Sequence, residues 1–363
     1  MPPDKINLLI VNPSLQCGGT EKYVSLLCNH INTAQFDVTL LLLNNNQQFY
    51  SITNPAITVI DLQVKQVSRS FFKIKRLVKK IQPDIIYTNA NHLNLFFSIL
   101  KKSLAGKAVL IARESSIVSI NSKRAKNKRL YNWLLHTFYK RIDSIICQSQ
   151  YMQDDLVNNY NIPKQKTIVI HNAVEATTAA VIEPTKNKFV TVSRLSPEKG
   201  MLRLVLALAK INIPFSFHII GEGEKKAAWQ FVVSELQLQD KIFFEGEKKT
   251  PFQGMEDAQL FLMGSHYEGF PNALLEAAAL GIPAIAFDVP GGIKEIITEG
   301  ENGFLVKDGD EAAFANAIEK SVSFNFNRQT IQATTLDKFS VQKMITNTER
   351  FFMNAFNKTS FSE

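Results

Sequence analysis

Three cysteines in 363 residues, Cys17, Cys28 and Cys147, are too few and too scattered for a disulfide framework or a zinc spacing. They read as reduced thiols without a chemical role. No apolar run approaches the ~18 residues that span a bilayer. The opening "MPPDKINLLIVNP" sets an acid where a secretory signal needs basic residues, so the expected location is the cytoplasm. Short repeats and low-complexity tracts are also missing, which leaves ordinary folded domains as the organising plan. A dinucleotide fingerprint is incomplete as well: "GEGE", Gly221 to Glu224, lacks the third glycine, and nicotinamide binding loses its support.

What is present is an ordinary soluble composition, 45% hydrophobic and 20% charged, at a length that suggests two domains. The net charge of +8 is uneven. Residues 1–180 hold 22 Lys/Arg against 10 Asp/Glu and the remainder 19 against 23, so the halves stand at +12 and −4. Basic residues gather in "FFKIKRLVKK" (Phe71 to Lys80) and in "SKRAKNKRLYNWLLHTFYKR" (Ser122 to Arg141), where Tyr131, Trp133 and Phe138 interleave at roughly helical spacing. Such helices suit an anionic membrane surface, and equally a solvated face of a soluble domain. Nucleic acid is a poorer fit, since no binding motif accompanies the charge.

Strand-like runs alternate with helix-like runs: "INLLIV", "DVTLLLL", "DIIYTN", "AVLIAR" and "SIIC" in the first half, then "KFVTVS", "FSFHIIG", "KIFFEG", "LFLMG" and "PAIAFD". Continuous apolar strands in a βα rhythm imply parallel sheets covered on both faces. The rhythm lapses in "HNAVEATTAAVIEPTKNK". The expected organisation is therefore an α/β domain over residues 1–172, a linker over 173–187 and a second α/β domain over 188–337. A terminal helix at about 338–357 then packs back on the first domain through its stripe of Phe, Val, Met and Ile.

In doubly wound sheets ligands sit beyond the carboxyl ends of the strands, so the loops there carry the search. After the first strand, Gly18 and Gly19 precede a helix whose free N–H groups favour an anion. After "KFVTVS" comes "SRLSPEKG", where Arg194 and Lys199 are spaced to converge on one anion and Gly200 opens the next helix. In "SHYEGFPNALLEAAALGIPAIAFD", Pro271 suits the first position of a helix, Asn272 can cap it, and Gly281 with Pro283 ends it. Glu276 falls inside that otherwise apolar helix, where an unpaired carboxylate costs several kcal/mol. It needs a partner, and a lone helical Glu ordinarily finds a structural one. The single Asp-x-Asp, Asp308-Gly309-Asp310, reads as a turn with Asp310 capping the following helix rather than as a metal site.

Together these stretches resemble a family. "SRLSPEKG", the pair Glu268 and Glu276 in "EGFPNALLE", and "PGGIKEIITEGENGFLV" (Pro290 to Val306) are similar to the retaining nucleotide-sugar-dependent glycosyltransferases of family 4, across the whole second domain and in the right order. The resemblance implies the GT-B fold, two Rossmann-like doubly wound parallel-sheet domains facing a central cleft. It implies that Glu276 accepts hydrogen bonds from the nucleotide ribose, so that its partner is a ligand, and that Glu268 lies near the donor sugar with Gly269 and Phe270. By the same resemblance Arg194 and Lys199 neutralise the diphosphate, with Gly18 or Gly19 offering N–H groups to it. Gly291 and Gly292 form the turn beside the sugar, and residues near Gly246 meet the base.

The reaction so implied moves a hexose or N-acetylhexosamine from a nucleotide sugar, a UDP-sugar foremost, without cofactor or metal. The acceptor is a saccharide or a polyprenyl diphosphate-linked one in surface-glycan assembly, at the inner face of the cell membrane. A GT-B nucleotide-sugar 2-epimerase and a catalytically inactive nucleotide-binding subunit share the architecture and remain alternatives. One place departs from the family. Where many members carry a histidine after the strand matching "AVLIAR", this chain reads "ARESS", which offers Arg113 and Glu114 on the acceptor side, with His92 in "TNANHLN" as a further candidate.

Overall fold

A computed structural model describes residues 5–64, 67–175 and 180–357. The chain forms two compact units: one runs to Asn172 and takes up the chain again from Val341, the other is Ala173–Ser340. The first strand of the second unit begins at Thr185, inside the stretch expected as linker, and residues 176–179 of that stretch lie outside the described residues.

In the first unit the strands are β1 (Ile6–Asn12), β2 (Phe36–Leu42), β3 (Thr58–Asp61), β4 (Ile85–Asn89), β5 (Val109–Arg113), β6 (Ser144–Cys147) and β7 (Thr167–Val169). They pair in parallel in the order β3-β2-β1-β4-β5-β6-β7. Leu8 to Val11 and Ile85 to Tyr87 are sealed from water, as expected of strands covered on both faces. The edge strands β3 and β7 escape the sequence reading because they are short and partly solvated, and their apolar signal is correspondingly weak.

Helices α1 (Gly19–His30), α2 (Phe71–Ile81), α3 (Asn91–Ile99), α4 (Lys101–Leu104), α5 (Val118–Arg124), α6 (Lys128–Phe138) and α7 (Gln150–Tyr160) lie between these strands in the chain. The basic stretch Ser122 to Arg141 is thus two helices rather than one. The chain turns extended at Ala125, and the Asn127 side chain caps α6 by accepting from Leu130 N at 3.2 Å.

The second unit holds β8 (Thr185–Val192), α8 (Met201–Leu208), β9 (Ser216–Ile220), α9 (Lys226–Glu235), β10 (Ile242–Gly246), β11 (Ala258–Met263), α10 (Asn272–Ala279), β12 (Ala284–Asp288), β13 (Gly303–Lys307), α11 (Glu311–Val322) and α12 (Arg328–Lys338). Its parallel sheet has the order β10-β9-β8-β11-β12-β13. Phe189, Phe217, Phe261 and Phe287 bury completely along it.

The terminal helix expected at about 338–357 is a single helix that starts at Val341. Helix α12 ends at Lys338, and α13 (Val341–Asn357) belongs to the first unit. There Phe352 meets Phe36 and Tyr87 edge-on, with centroids 6.1 and 5.1 Å apart, and Thr348 Oγ1 lies 3.1 Å from the Tyr23 hydroxyl. Rings in such geometry contribute about 0.5–1.5 kcal/mol beyond their burial.

Candidate active site

In the second sheet β8 and β11 are neighbours. The connection leaving β8 runs to β9 on one side and that leaving β11 runs to β12 on the other, so a crevice opens beyond their carboxyl ends. The loop Ser193–Gly200 and the loop Gly264–Pro271 flank it. Both are sequence-predicted motifs, and the topology brings them together.

Glycines allow the approach. Gly200 stands at φ 59°, and a Cβ there would fall 1.9 Å from the Gly264 carbonyl oxygen; one on Gly264 would fall 2.5 Å from that of Gly200. His266 N donates to the Glu198 carbonyl at 2.9 Å and tightens the same seam. The glycines of "GEGE" act alike: a Cβ on Gly221 or Gly223 would meet the carbonyl oxygens of Ser193 or Leu195 at 2.0 and 2.4 Å. They seat the loop after β9 against the loop after β8, which is a packing reason for a motif that lacks the dinucleotide pattern.

Across this seam Lys199 Nζ donates to Glu268 Oε1 at 2.7 Å, and the Ser265 hydroxyl donates to the same oxygen at 2.7 Å. Both charged side chains are mostly withdrawn from solvent, at 22% and 10% exposure. Arg194 does not converge with Lys199. Its side chain is 78% exposed and stands 3.6 Å from Glu198, a partner in the same turn that solvent largely screens.

A third loop closes on Glu268 from β12. Glu268 N donates to the Pro290 carbonyl at 3.0 Å and Gly292 N to the Gly269 carbonyl at 3.1 Å. Gly291 lies between them at φ 127°, with its missing Cβ only 1.5 Å from the Glu268 carbonyl oxygen. No other residue fits there without parting the two loops. Phe270 is buried against Phe339, with centroids 5.5 Å apart, so its ring serves the core, while the backbone of Gly269 and Phe270 follows Glu268.

Glu276 is half-buried in the second turn of α10, so the otherwise apolar helix does not seal it. The helix begins at Asn272 with Pro271 as its N-cap, one residue later than the proline signal suggests. Gly246 ends β10 at φ 75°, its carbonyl accepting from Gly221 N at 2.8 Å. Asp310 caps α11 by accepting from Ala313 N at 2.8 Å, and Asp308 Oδ1 accepts from Arg203 Nη2 at 2.6 Å.

Arg203 and Ser265 are the residues that sequence reasoning missed. Arg203 is buried on α8, face-on to Phe287 at 3.6 Å, and its Nη1 reaches the carbonyls of Gly264 and Ser265 at 3.4 and 3.5 Å and His266 Nδ1 at 3.2 Å. It fixes the start of the loop that carries Glu268. A cation inside the apolar "MLRLVLAL" is a signal of the same kind as Glu276 inside α10.

In the first unit Gly18 is the extended N-cap of α1 and Gly19 its first residue, with the Glu21 carboxylate folded back over Gly18. That acid complements the unpaired N–H groups of the first turn. His92 sits at the start of α3 and lines a groove of about 820 Å³ with Pro13, Ser14, Asn44 and Val67 beyond the ends of β1 and β2. The residue is exposed overall, yet desolvation of its ring in the groove holds the imidazole below its usual range.

Arg113 and Glu114 are not surface groups. Both have no exposed area. Arg113 lies 3.7 Å over the Tyr23 ring and donates to Asn89 Oδ1 at 3.1 Å and to the Asn172 side chain. Glu114 Oε1 accepts from Asn94 at 2.8 Å, and burial pushes its carboxyl up to about 7. They belong to the polar interior behind the ends of β4 and β5, because their strand is central and covered on both faces.

Residues 17–178 match the family model described as Glycosyltransferase Family 4, and residues 175–334 match that described as Glycosyl transferases group 1. The chain belongs to the family 4 glycosyltransferases. Among relatives of this glycosyltransferase is the N-acetylgalactosamine-N,N'-diacetylbacillosaminyl-diphospho-undecaprenol 4-alpha-N-acetylgalactosaminyltransferase of Campylobacter jejuni, 26% identical over 321 residues, or 84% of this chain and 87% of that one. Among solved structures, HepE of Anabaena in complex with UDP-glucose superposes with a TM-score of 0.78 at 20% identity, covering 96% of this chain and 100% of that one. The lipopolysaccharide outer core galactosyltransferase WaaB in its apo form does so with a TM-score of 0.78 at 20% identity, covering 97% and 99%. The enzyme accordingly has the GT-B fold, two Rossmann-like parallel-sheet domains.

Proposed function

We propose that this glycosyltransferase moves a hexose or N-acetylhexosamine from a UDP-sugar, with retention of configuration and without a metal ion. The acceptor is a saccharide or a polyprenyl diphosphate-linked one, in assembly of a cell-surface glycan such as O-antigen, capsule or lipopolysaccharide. The observation that carries the reading is the Lys199–Glu268 pair at the reversal of strand order, held by three interlocked loops. The relative whose name includes a diphospho-undecaprenol acceptor and the neighbour bound to UDP-glucose support the two substrate classes.

In the proposed chemistry negative charge grows on the leaving diphosphate as the sugar–phosphate bond breaks. Lys199 has three N–H donors and spends one on Glu268, which leaves two for phosphate oxygens. Arg194, largely exposed and only loosely paired, swings onto the same diphosphate. One such preorganised donor is worth about 3–4 kcal/mol in the transition state. The acids of the Asp-x-Asp are already engaged by Arg203 and by the α11 N-terminus, so charge neutralisation is assigned to the two cations. Glu276 takes the ribose hydroxyls, Glu268 with Gly291 and Gly292 the sugar, and Gly246 the edge of the base. The first unit supplies the Gly18–Gly19 helix start and, for the acceptor, the groove lined by His92. The basic helices α2 and α6 suit an anionic membrane surface; no described helix is long and apolar enough to cross one.

Titration calorimetry against UDP, GDP, ADP and NAD, with metal chelated and repeated on Glu276→Ala, tests this. One nucleoside diphosphate should bind, UDP foremost, and the variant should lose about 1.5–3 kcal/mol, as for a hydrogen bond to a charged group. Equal binding by the variant, or binding of NAD alone, would overturn the assignment.

A further inference from the structure

Between α5, α6 and α7 the first unit carries a concavity of about 440 Å³, the size of small-molecule sites in general. Lys123, Lys128 and Arg129 line it, with Asn132, Asn159 and Tyr160. All three cations are exposed, and among the described residues none has an ion-pair partner. Three positive charges without an ion-pair partner around one hollow sum to a positive potential that concentrates anions there.

The walls are built rather than loose. The Tyr160 hydroxyl donates to Ser122 Oγ at 3.2 Å, and the His136 ring packs on Tyr160 with centroids 5.0 Å apart. Asn159 Nδ2 donates to Asp155 Oδ1 at 2.8 Å, and Asp155 Oδ2 accepts from Ser119 N at 3.0 Å. The Asp155 carboxylate is therefore turned to its own donors and buried, and it forms no ion pair with the three cations among the described residues.

We propose that this hollow is a phosphate-binding site distinct from the donor loops. Its ligand is a phosphomonoester or diphosphate group: Arg129 offers a planar fork that grips two oxygens, and Lys123 and Lys128 add point charges suited to a multiply charged anion. Around α6, Trp133 stands next to Arg129 on the solvent side, 57% exposed, and Leu130 is 50% exposed. A phosphate held at a membrane or free in solution presents the same chemistry to the hollow. The proposal deepens the acceptor part of the functional reading and rests on it only for the origin of the phosphate.

Trp133 makes the test direct, since the other tryptophan, Trp229, is buried in the second unit. Fluorescence of the full chain is titrated with inorganic pyrophosphate, then with phosphatidylcholine vesicles with and without phosphatidic acid. A Trp133→Phe variant identifies the signal. Pyrophosphate should bind, and the triple variant Lys123→Ala/Lys128→Ala/Arg129→Ala should weaken it at least tenfold while UDP binding is retained. Binding of the phosphatidic acid vesicles that pyrophosphate reverses assigns the phosphate to a membrane headgroup; binding of pyrophosphate alone assigns it to a free phosphoryl ligand. No response to either probe, or a triple variant that binds as the native chain does, overturns the site. Loss of UDP binding in the native chain would instead count against the donor-site reading.

Discussion

Lys199 and Glu268, 69 residues apart in the chain, meet at 2.7 Å where the strand order of the second sheet reverses. Under the proposed function this pair holds the cation that meets the diphosphate. The carboxylate fixes the ammonium without satisfying all its donors.

Breaking that pair separates its structural from its binding role. Lys199→Ala leaves Glu268 with Ser265 alone, so both the unfolding midpoint and the affinity for UDP should fall, the affinity by about ten- to a hundredfold, as for a lost charged hydrogen bond. In Lys199→Ala/Glu268→Gln the orphaned charge is gone. Stability should then recover while affinity does not, as read by thermal unfolding and calorimetry side by side. Recovery of both would make the lysine a purely structural partner.

Gly291→Ala should uncouple the loop after β12 from Glu268. A methyl group 1.5 Å from a carbonyl oxygen at φ 127° forces the backbone apart. Strain of this kind costs about 1–3 kcal/mol. Gly309 also has positive φ, 82°, but open space around it, and Gly309→Ala is the control that should cost less. Equal losses in thermal unfolding would show that steric contact with Glu268 is not what selects glycine at 291.

Glu114 makes the stability of the first unit depend on pH. Its carboxyl is raised from 4.5 to about 7 by burial, so the folded state keeps a proton that the unfolded chain gives up. The contribution is therefore complete below pH 4.5 and is lost as pH rises to about 7, amounting to roughly 3 kcal/mol over that window. Glu114→Gln should flatten the corresponding slope of unfolding midpoint against pH. An unchanged slope would place the proton elsewhere.

The motifs proposed for the donor site were legible because each is local. "SRLSPEKG" and "EGFP" announce loops after strands, and "ALLEAAAL" a helix, from propensity and glycine punctuation alone. The burial of Arg113 and Glu114 was not legible, for the opposite reason. "ARESS" looks like any polar strand end, and groups far off in the chain bury it, among them Tyr23 on α1, Asn94 on α3 and Asn172. The basic stretch from Ser122 misled in another way: its helical spacing continues through Ala125 to Asn127, while the extended backbone there and the Asn127 cap divide it.

The sequence by itself determined the parallel α/β architecture and the alternation of its central strands with helices. Apolar periodicity and backbone sterics act over a few residues, and they are written there. Tertiary structure decided which charges meet. It set Lys199 on Glu268 and left Arg194 in solvent, put Arg203 under the loop that carries Glu268, and withdrew Glu114 from water. Pairing and desolvation depend on groups dozens of residues away, and only the order of strands in the sheet brings those groups together.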